Sequence, residues 1–136
     1  AQVLCIYDNF ACVLNHSTGA ELCRFSYGGA AVASVSVYGR TAALLLSTRS
    51  GSRLVVLNDS MNALLDTTVA AANRVTVTHN SVYLLRDGTV ERMNLKGESQ
   101  WVQSFDTKPQ FLLNAEQLLL FVDSSAQVLT APAAEK

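Results

Sequence analysis

Residues 81–95 read Ser-Val-Tyr-Leu-Leu-Arg-Asp-Gly-Thr-Val-Glu-Arg-Met-Asn-Leu. Two apolar-rich runs, Val82–Arg86 and Thr89–Leu95, flank Asp87-Gly88. Asp-Gly between such runs is the strongest short hairpin signal, because the favoured two-residue turn needs φ above zero at both central positions. The stretch therefore predicts two antiparallel strands joined by a tight turn.

The same wording recurs along the chain. Asp8-Asn9 separates Val3–Tyr7 from Phe10–Asn15, and Arg49-Ser50-Gly51-Ser52 separates Ala42–Thr48 from Arg53–Asn58. Ser124-Ser125 separates Leu118–Asp123 from Gln127–Thr130. The turns fall near positions 8, 50, 87 and 124, at spacings of about 42, 37 and 37. A period near 40 with several strands per unit is the signature of propeller blades. A second landmark keeps the same register: the strand after the hairpin turn carries an Asn near its end in three of the four repeats, at Asn15, Asn58 and Asn94. Outer strands follow at Ala20–Tyr27, Ala63–Val69 and Ser99–Phe105, and inner strands precede the hairpins at Ala33–Tyr38, Arg74–His79 and Gln110–Asn114.

Fourteen strands in the order B-C-D, A-B-C-D, A-B-C-D, A-B-C make an all-β chain, a β-propeller fragment of about 3.5 four-stranded antiparallel blades. The division is a partial blade over 1–29, blades over 30–70 and 71–106, a partial blade over 107–131 and a tail over 132–136. Strands A and B are expected to be buried between neighbouring blades, as Ala42-Ala43-Leu44-Leu45-Leu46 implies. Outer strands such as Trp101–Phe105 should alternate at the rim. One blade cannot cover its own faces, so blades stack.

The blade wording resembles the broad propeller superfamily of WD-repeat and quinoprotein-like proteins. The defining local marks of those repeats are missing: no Gly-His and Trp-Asp pair occurs, and Trp101 is the single Trp. The run from Ser81 to Met93 is more narrowly similar to the propellers of an uncharacterised bacterial family, usually tethered outside the cell by an amino-terminal membrane segment. That resemblance implies an extracellular chain anchored by an upstream segment, and it brings no assigned activity.

Composition narrows the function classes. Hydrophobic residues make up 49% and charged ones 15%, against about 25% charged in average chains. Disorder through low hydrophobicity is excluded. A net charge of −1 gives no electrostatic footprint for nucleic acid or acidic lipid. No apolar run approaches the roughly 20 residues needed to span a bilayer as a helix. Ala1 is not an initiator Met, so the chain is expected to begin inside a domain. A piece of a longer propeller is favoured over a natural half-propeller. Self-association through open blade edges is expected in either case, two copies giving twenty-eight strands or seven blades.

Candidate chemistry is sparse. A two-residue turn at 8–9 places Cys5 opposite Cys12, and a loop at His16–Gly19 places Cys12 opposite Cys23, so all three thiols could share a face. The favoured reading is small buried hydrophobes rather than a metal or thiol cluster. His16 and His79 lack a nucleophile context, and the aspartates sit mostly in turns, where Asp accepts local backbone hydrogen bonds. No helix opens on Gly28-Gly29, so phosphate has no dipole to use. Three residues stand out as candidate contacts. Arg40 and Arg74 lie at blade entrances and could face one end of the propeller. Trp101 is a candidate anchor, although packing under the rim against Phe105 and Leu95 is the favoured alternative. No catalytic residue, cofactor or metal is expected. The reading that follows is a non-catalytic module for a protein or polymer partner. The alternatives are a fragment of a quinoprotein-like or hydrolytic enzyme, told apart by converging polar groups at the channel, and an envelope-anchored scaffold.

Overall fold

The computed structural model describes residues 2–106, 108–114, 118–122 and 125–129. They contain strands and no helix. The first sheet holds β1 (Gln2–Ile6), β2 (Phe10–Asn15) and β3 (Glu21–Ser26). The second holds β4 (Ala31–Tyr38), β5 (Thr41–Thr48), β6 (Gly51–Leu57) and β7 (Ala63–Val69). The third holds β8 (Arg74–Val77), β9 (Ser81–Arg86), β10 (Thr89–Asn94) and β11 (Ser99–Ser104). The fourth holds β12 (Pro109–Asn114), β13 (Leu118–Val122) and β14 (Ser125–Val128). Within each sheet the strands lie in chain order and pair antiparallel. The fold is the expected β-propeller segment of about three and a half blades.

The hairpin that opened the reading forms with Arg86 paired to Thr89 around Asp87-Gly88, and Gly88 takes φ +80°. Asn73 Nδ2 donates to Asp87 Oδ1 at 2.9 Å. The turn at 49–50 is shorter than expected. Thr48 pairs with Gly51, so Gly51 and Ser52 belong to β6. Gly51 sits at φ +144°, where an added Cβ would lie 3.1 Å from the Val69 carbonyl oxygen. Ser125 likewise belongs to a strand, paired with Val122. Ser124, Thr130 and the 132–136 tail lie outside the described residues.

The recurring asparagines have a common job. Asn15 Oδ1 accepts from the N–H groups of Ser17 and Thr18 at 2.9 and 3.1 Å. Asn58 Oδ1 accepts from Ser60 and Asn62 at 2.9 and 3.0 Å. Asn94 Oδ1 accepts from Lys96 and Glu98 at 3.0 and 2.9 Å. Each Asn side chain satisfies backbone donors that the ladder cannot reach where the chain turns outward.

The third sheet follows the expected burial, with β8 buried from Val75 to Val77 and β10 mixed, whereas in the second sheet burial peaks one strand further from the axis. In β5 and β6 the runs Ala42–Leu46 and Leu54–Leu57 are fully buried, and β9 is buried from Ser81 to Leu85. The innermost β4 alternates instead, leaving Ala31, Ala33, Val35 and Val37 exposed. One face of β4 meets the third sheet, and its other face lies beside the first sheet, which has no strand inside β1.

Three apolar seams join the sheets. Ala11, Val13 and Tyr27 meet Leu44, Leu46, Val55 and Leu57 between sheets one and two. Ala43, Leu45, Leu54 and Val56 meet Val75, Val77, Val82, Leu84 and Met93 between sheets two and three. Tyr83, Leu85 and Val90 meet Leu112, Leu120 and Leu129 between sheets three and four. Hydroxyl groups stitch the seams near the axis. Ser34 Oγ and Ser36 Oγ on β4 accept from the N–H groups of Val75 and Val77 on β8, at 3.1 and 2.9 Å. Thr76 Oγ1 on β8 donates to the Leu112 carbonyl of β12 at 2.7 Å. Because residues 34 and 36 meet 75 and 77 in the same order, the inner strands run parallel to each other around the axis.

Candidate functional site

The parallel inner strands fix which loops share an end. Residues 39–40, 58–62, 78–80 and 95–98 lie at one end, which we call the first end. Residues 27–30, 49–50, 70–73 and 87–88 lie at the opposite end. Arg40 follows the close of β4, whereas Arg74 opens β8. The two arginines therefore sit at opposite ends, and the expectation that they share one is corrected by strand direction.

Arg40 belongs to the first end. Its side chain is 86% exposed, and Nη1 donates to Asp59 Oδ2 at 2.8 Å. Both residues border a cavity of about 400 Å³, together with Gln2, Leu4, Val37 and Met61. Met61 holds φ +58°, the left-handed region that a residue with a Cβ rarely adopts. Its side chain is buried in the seam between sheets one and two. Tyr38, 43% exposed, lies with its ring centroid 6.4 Å from that of His79. His79 was expected to end an inner strand. It lies in the turn after β8, which stops at Val77. The first end thus gathers Tyr38, Arg40, Asp59 and His79 from two neighbouring sheets, a group visible from the sequence only once the strand directions are known.

Trp101 faces the seam between sheets three and four, half-buried, with its ring edge-on to Tyr83 at 5.9 Å. Phe105 packs on that seam as expected, but Leu95 packs on the seam at the other face of sheet three. The Trp101 indole N–H is buried without a hydrogen-bond partner among the described residues. Trp101 is therefore placed as a packing residue under the rim and not as part of the first end.

The cysteines do not form a row. Cys5 pairs with Cys12 as expected. A register shift between Val13 and Leu14 places Cys23 opposite Val13, and Arg24 takes the position opposite Cys12. Alternation then sends Cys23 to the face that packs on sheet two and Cys12 to the other. All three are free thiols. Burial, followed by the neighbouring Cys5 and Glu21, pushes the Cys12 thiol up, away from the reactive thiolate. Among the described residues no group of three metal-ligating side chains assembles.

Five of the described acidic residues, Glu21, Asp59, Asp66, Asp87 and Glu91, are paired with bases. Asp66 takes two hydrogen bonds from Arg53, at 2.8 and 2.6 Å, and Glu91 takes one from Arg86 at 2.7 Å. Lys108 Nζ lies 3.0 Å from Asp87. The Arg53 hydrogen bonds, then its charge, hold the Asp66 carboxyl below its ordinary range against the opposing effect of burial. A depressed folded-state value means that this pair stabilises the fold above the unfolded carboxyl's value, near 3.9, and ceases to do so as pH falls through the folded value. The Arg53 and Asp66 side chains keep 29% and 36% of their exposure, so the effect should stay under about 1 kcal/mol. Urea unfolding between pH 7 and pH 3 should show a shallower acid loss in Asp66→Asn. An unchanged slope would remove the pair from the acid response.

A comparison with protein-family models finds no match, and none is found among curated proteins. Solved structures do match. The chain is similar to the computationally designed Ika8 protein, with a TM-score of 0.65 at 15% identity over 88% of this chain and 42% of that one. It is similar to BamB from Moraxella catarrhalis, with a TM-score of 0.59 at 17% identity over 87% and 40%. It is also similar to a protein of unknown function from Bacteroides caccae, with a TM-score of 0.61 at 12% identity over 88% and 48%. The chain spans less than half the length of each of these structures. At such identities the likeness is one of fold.

Proposed function

We propose that this chain is a non-catalytic interaction module that presents the first end of its sheets to a protein or polymer partner. The observation that carries the reading is the presence at the first end of an exposed tyrosine, beside His79, and an exposed arginine that borders a 400 Å³ cavity. Tyr and Arg are the residue types that most often anchor interfaces. Two further features favour binding over catalysis. The described inner strands consist mainly of Ala, Val, Ser and Thr, and the Arg40–Asp59 ion pair leaves the carboxylate at the first end engaged.

A photo-crosslinking side chain at position 38 is expected to trap a discrete partner that the same group at the exposed rim residue Leu64 does not. Arg40→Glu should lower the trapped fraction about tenfold. Equal trapping from both positions would remove the first end from the reading. The proposal also includes self-association, supported by the exposed apolar residues Val3 and Leu22 on the first sheet and Val128 on the last. Sedimentation equilibrium should show a concentration-dependent dimer, and a monomer at all concentrations would withdraw that part.

A further inference from the structure

Sheets two and three finish the end opposite the first end differently. In sheet three the turn after β9 carries Asp87, between the paired residues Arg86 and Thr89. The chain holds its carboxylate from two sides. Asn73, in the crossover from sheet two, donates through Nδ2 at 2.9 Å, and Lys108 Nζ lies 3.0 Å away. The bonds from Lys108, then from Asn73, keep the Asp87 carboxyl below its ordinary range. Arg86 clasps the same crossover by donating to the Ala70 and Ala71 carbonyls at 3.1 and 3.2 Å. A carboxylate set between a crossover donor and a cation is thus how this corner is closed.

The matching turn of sheet two lies between the paired residues Thr48 and Gly51, and Arg49 stands in it where Asp87 stands in sheet three. The crossover from sheet one supplies Gly28-Gly29, at φ +65° and +87°, in a turn closed by the Ala30 N–H on the Tyr27 carbonyl at 3.4 Å. These two glycines line one concavity of about 530 Å³ together with Ser47, Thr48 and Arg49. The N–H groups of Gly28 and Gly29, the Ser47 and Thr48 hydroxyls and the Arg49 guanidinium have no partner among the described residues. No carboxylate lines the space. Its walls all come from sheet two and the crossover that leads into it. The corner therefore carries a cation and a set of hydrogen-bond donors, without the acid that its counterpart carries between such groups.

We propose that this concavity binds a carboxylate group, set on Arg49 and on the Gly28-Gly29 turn as the Asp87 carboxylate is set between Lys108 and Asn73. The planar guanidinium matches two carboxylate oxygens as a fork, and the hydroxyls of Ser47 and Thr48 supply further donors. No helix opens here to favour the larger charge of a phosphate. The carboxylate comes from a small organic acid or from an acidic side chain of a protein partner. The site lies at the other end of the sheets from Tyr38 and Arg40, so it goes beyond the interaction reading and does not rest on it.

The test is an NMR titration of the full chain with sodium succinate, referred to sodium chloride at equal ionic strength. Saturable shifts are expected at the amides of Gly28 and Gly29 and at Arg49 Nε. Arg49→Gln should weaken binding about tenfold, as loss of a charge-assisted pair does. Arg49→Asp places there the residue type that sheet three carries and should abolish binding. Arg74 is exposed, lies at the same end and has no ion pair among the described residues, so Arg74→Gln should leave the affinity unchanged. Absence of saturable shifts overturns the proposal, as do shifts that chloride reproduces and equal losses in Arg49→Gln and Arg74→Gln. Binding of inorganic phosphate at these amides without binding of succinate overturns the assignment to carboxylate. The peptide acetyl-Gly-Glu-Gly-amide separates the two sources. Tighter binding than succinate supports a partner's acidic side chain and weaker binding supports a small acid, with loss in Arg49→Gln required of both. Crosslinking at position 38 reads the other end, so either reading can fail without the other.

Discussion

Replacing Leu45 by alanine is expected to cost about 2–5 kcal/mol, the range for a fully buried leucine whose surroundings cannot collapse into the space left behind. Leu45 has no exposed surface and lies in the seam shared by sheets two and three. Its neighbours there come from two separate sheets, which are held in place by their own ladders and cannot close the gap without moving as units. The rim residue Leu64 has the same side chain but is half exposed. Leu64→Ala should change stability by no more than about 0.5 kcal/mol. Urea unfolding of both variants measures the difference. A loss below about 1 kcal/mol for Leu45→Ala would mean that the seam between these sheets is not the core of the fold.

The second large effect concerns the hydroxyl stitches. Ser34→Ala combined with Ser36→Ala removes the acceptors seen by the N–H groups of Val75 and Val77. Depriving a sequestered donor of its acceptor costs about 1–3 kcal/mol, so the pair should lose about 2 kcal/mol or more. The apolar contacts of the seam are untouched, because the serines contribute no side chain to its cluster. The signature is local as well as global: hydrogen exchange should accelerate at Val75 and Val77 more than at Leu84, whose strand β9 is held by ladder partners on both sides. Uniform acceleration across the third sheet would show that the serines act only through overall stability. An unchanged midpoint would show that water replaces them.

Much of this architecture is legible before any coordinates. The Asp87-Gly88 turn and the three asparagines are local signals, each set by what one residue's side chain or φ angle allows, and local signals survive in the sequence. What escaped is what depends on register or on neighbours. The shift between Val13 and Leu14 is a single displaced pairing with no mark in the residue pattern, and it alone turned Cys23 away from Cys12. The apolar wording of β4 implied burial on both faces, yet exposure there is decided by what stands beside β1. Trp101 and Leu95 are close in sequence, yet they fall on opposite faces of one sheet, and Phe105 alone shares the seam with Trp101. The stitches did leave a trace. Val35-Ser36-Val37 and Val75-Thr76-Val77 stand 40 positions apart, and a hydroxyl residue between two valines in each inner strand is the signal that would have found them.

That shared triplet bears on how such a chain can grow. The second sheet shows the third a pair of serine oxygens, the third meets them with a valine pair, and the second carries a valine pair at the same places. A tandem duplication of one unit, from Ala31 through Val69, would insert a sheet whose inner strand brings both the valine pair and the serine pair that this joint uses. The number of units is then free to drift through unequal crossing-over, with no seam having to be reinvented, and the angle at each joint rather than any single residue limits how many can stand around the axis.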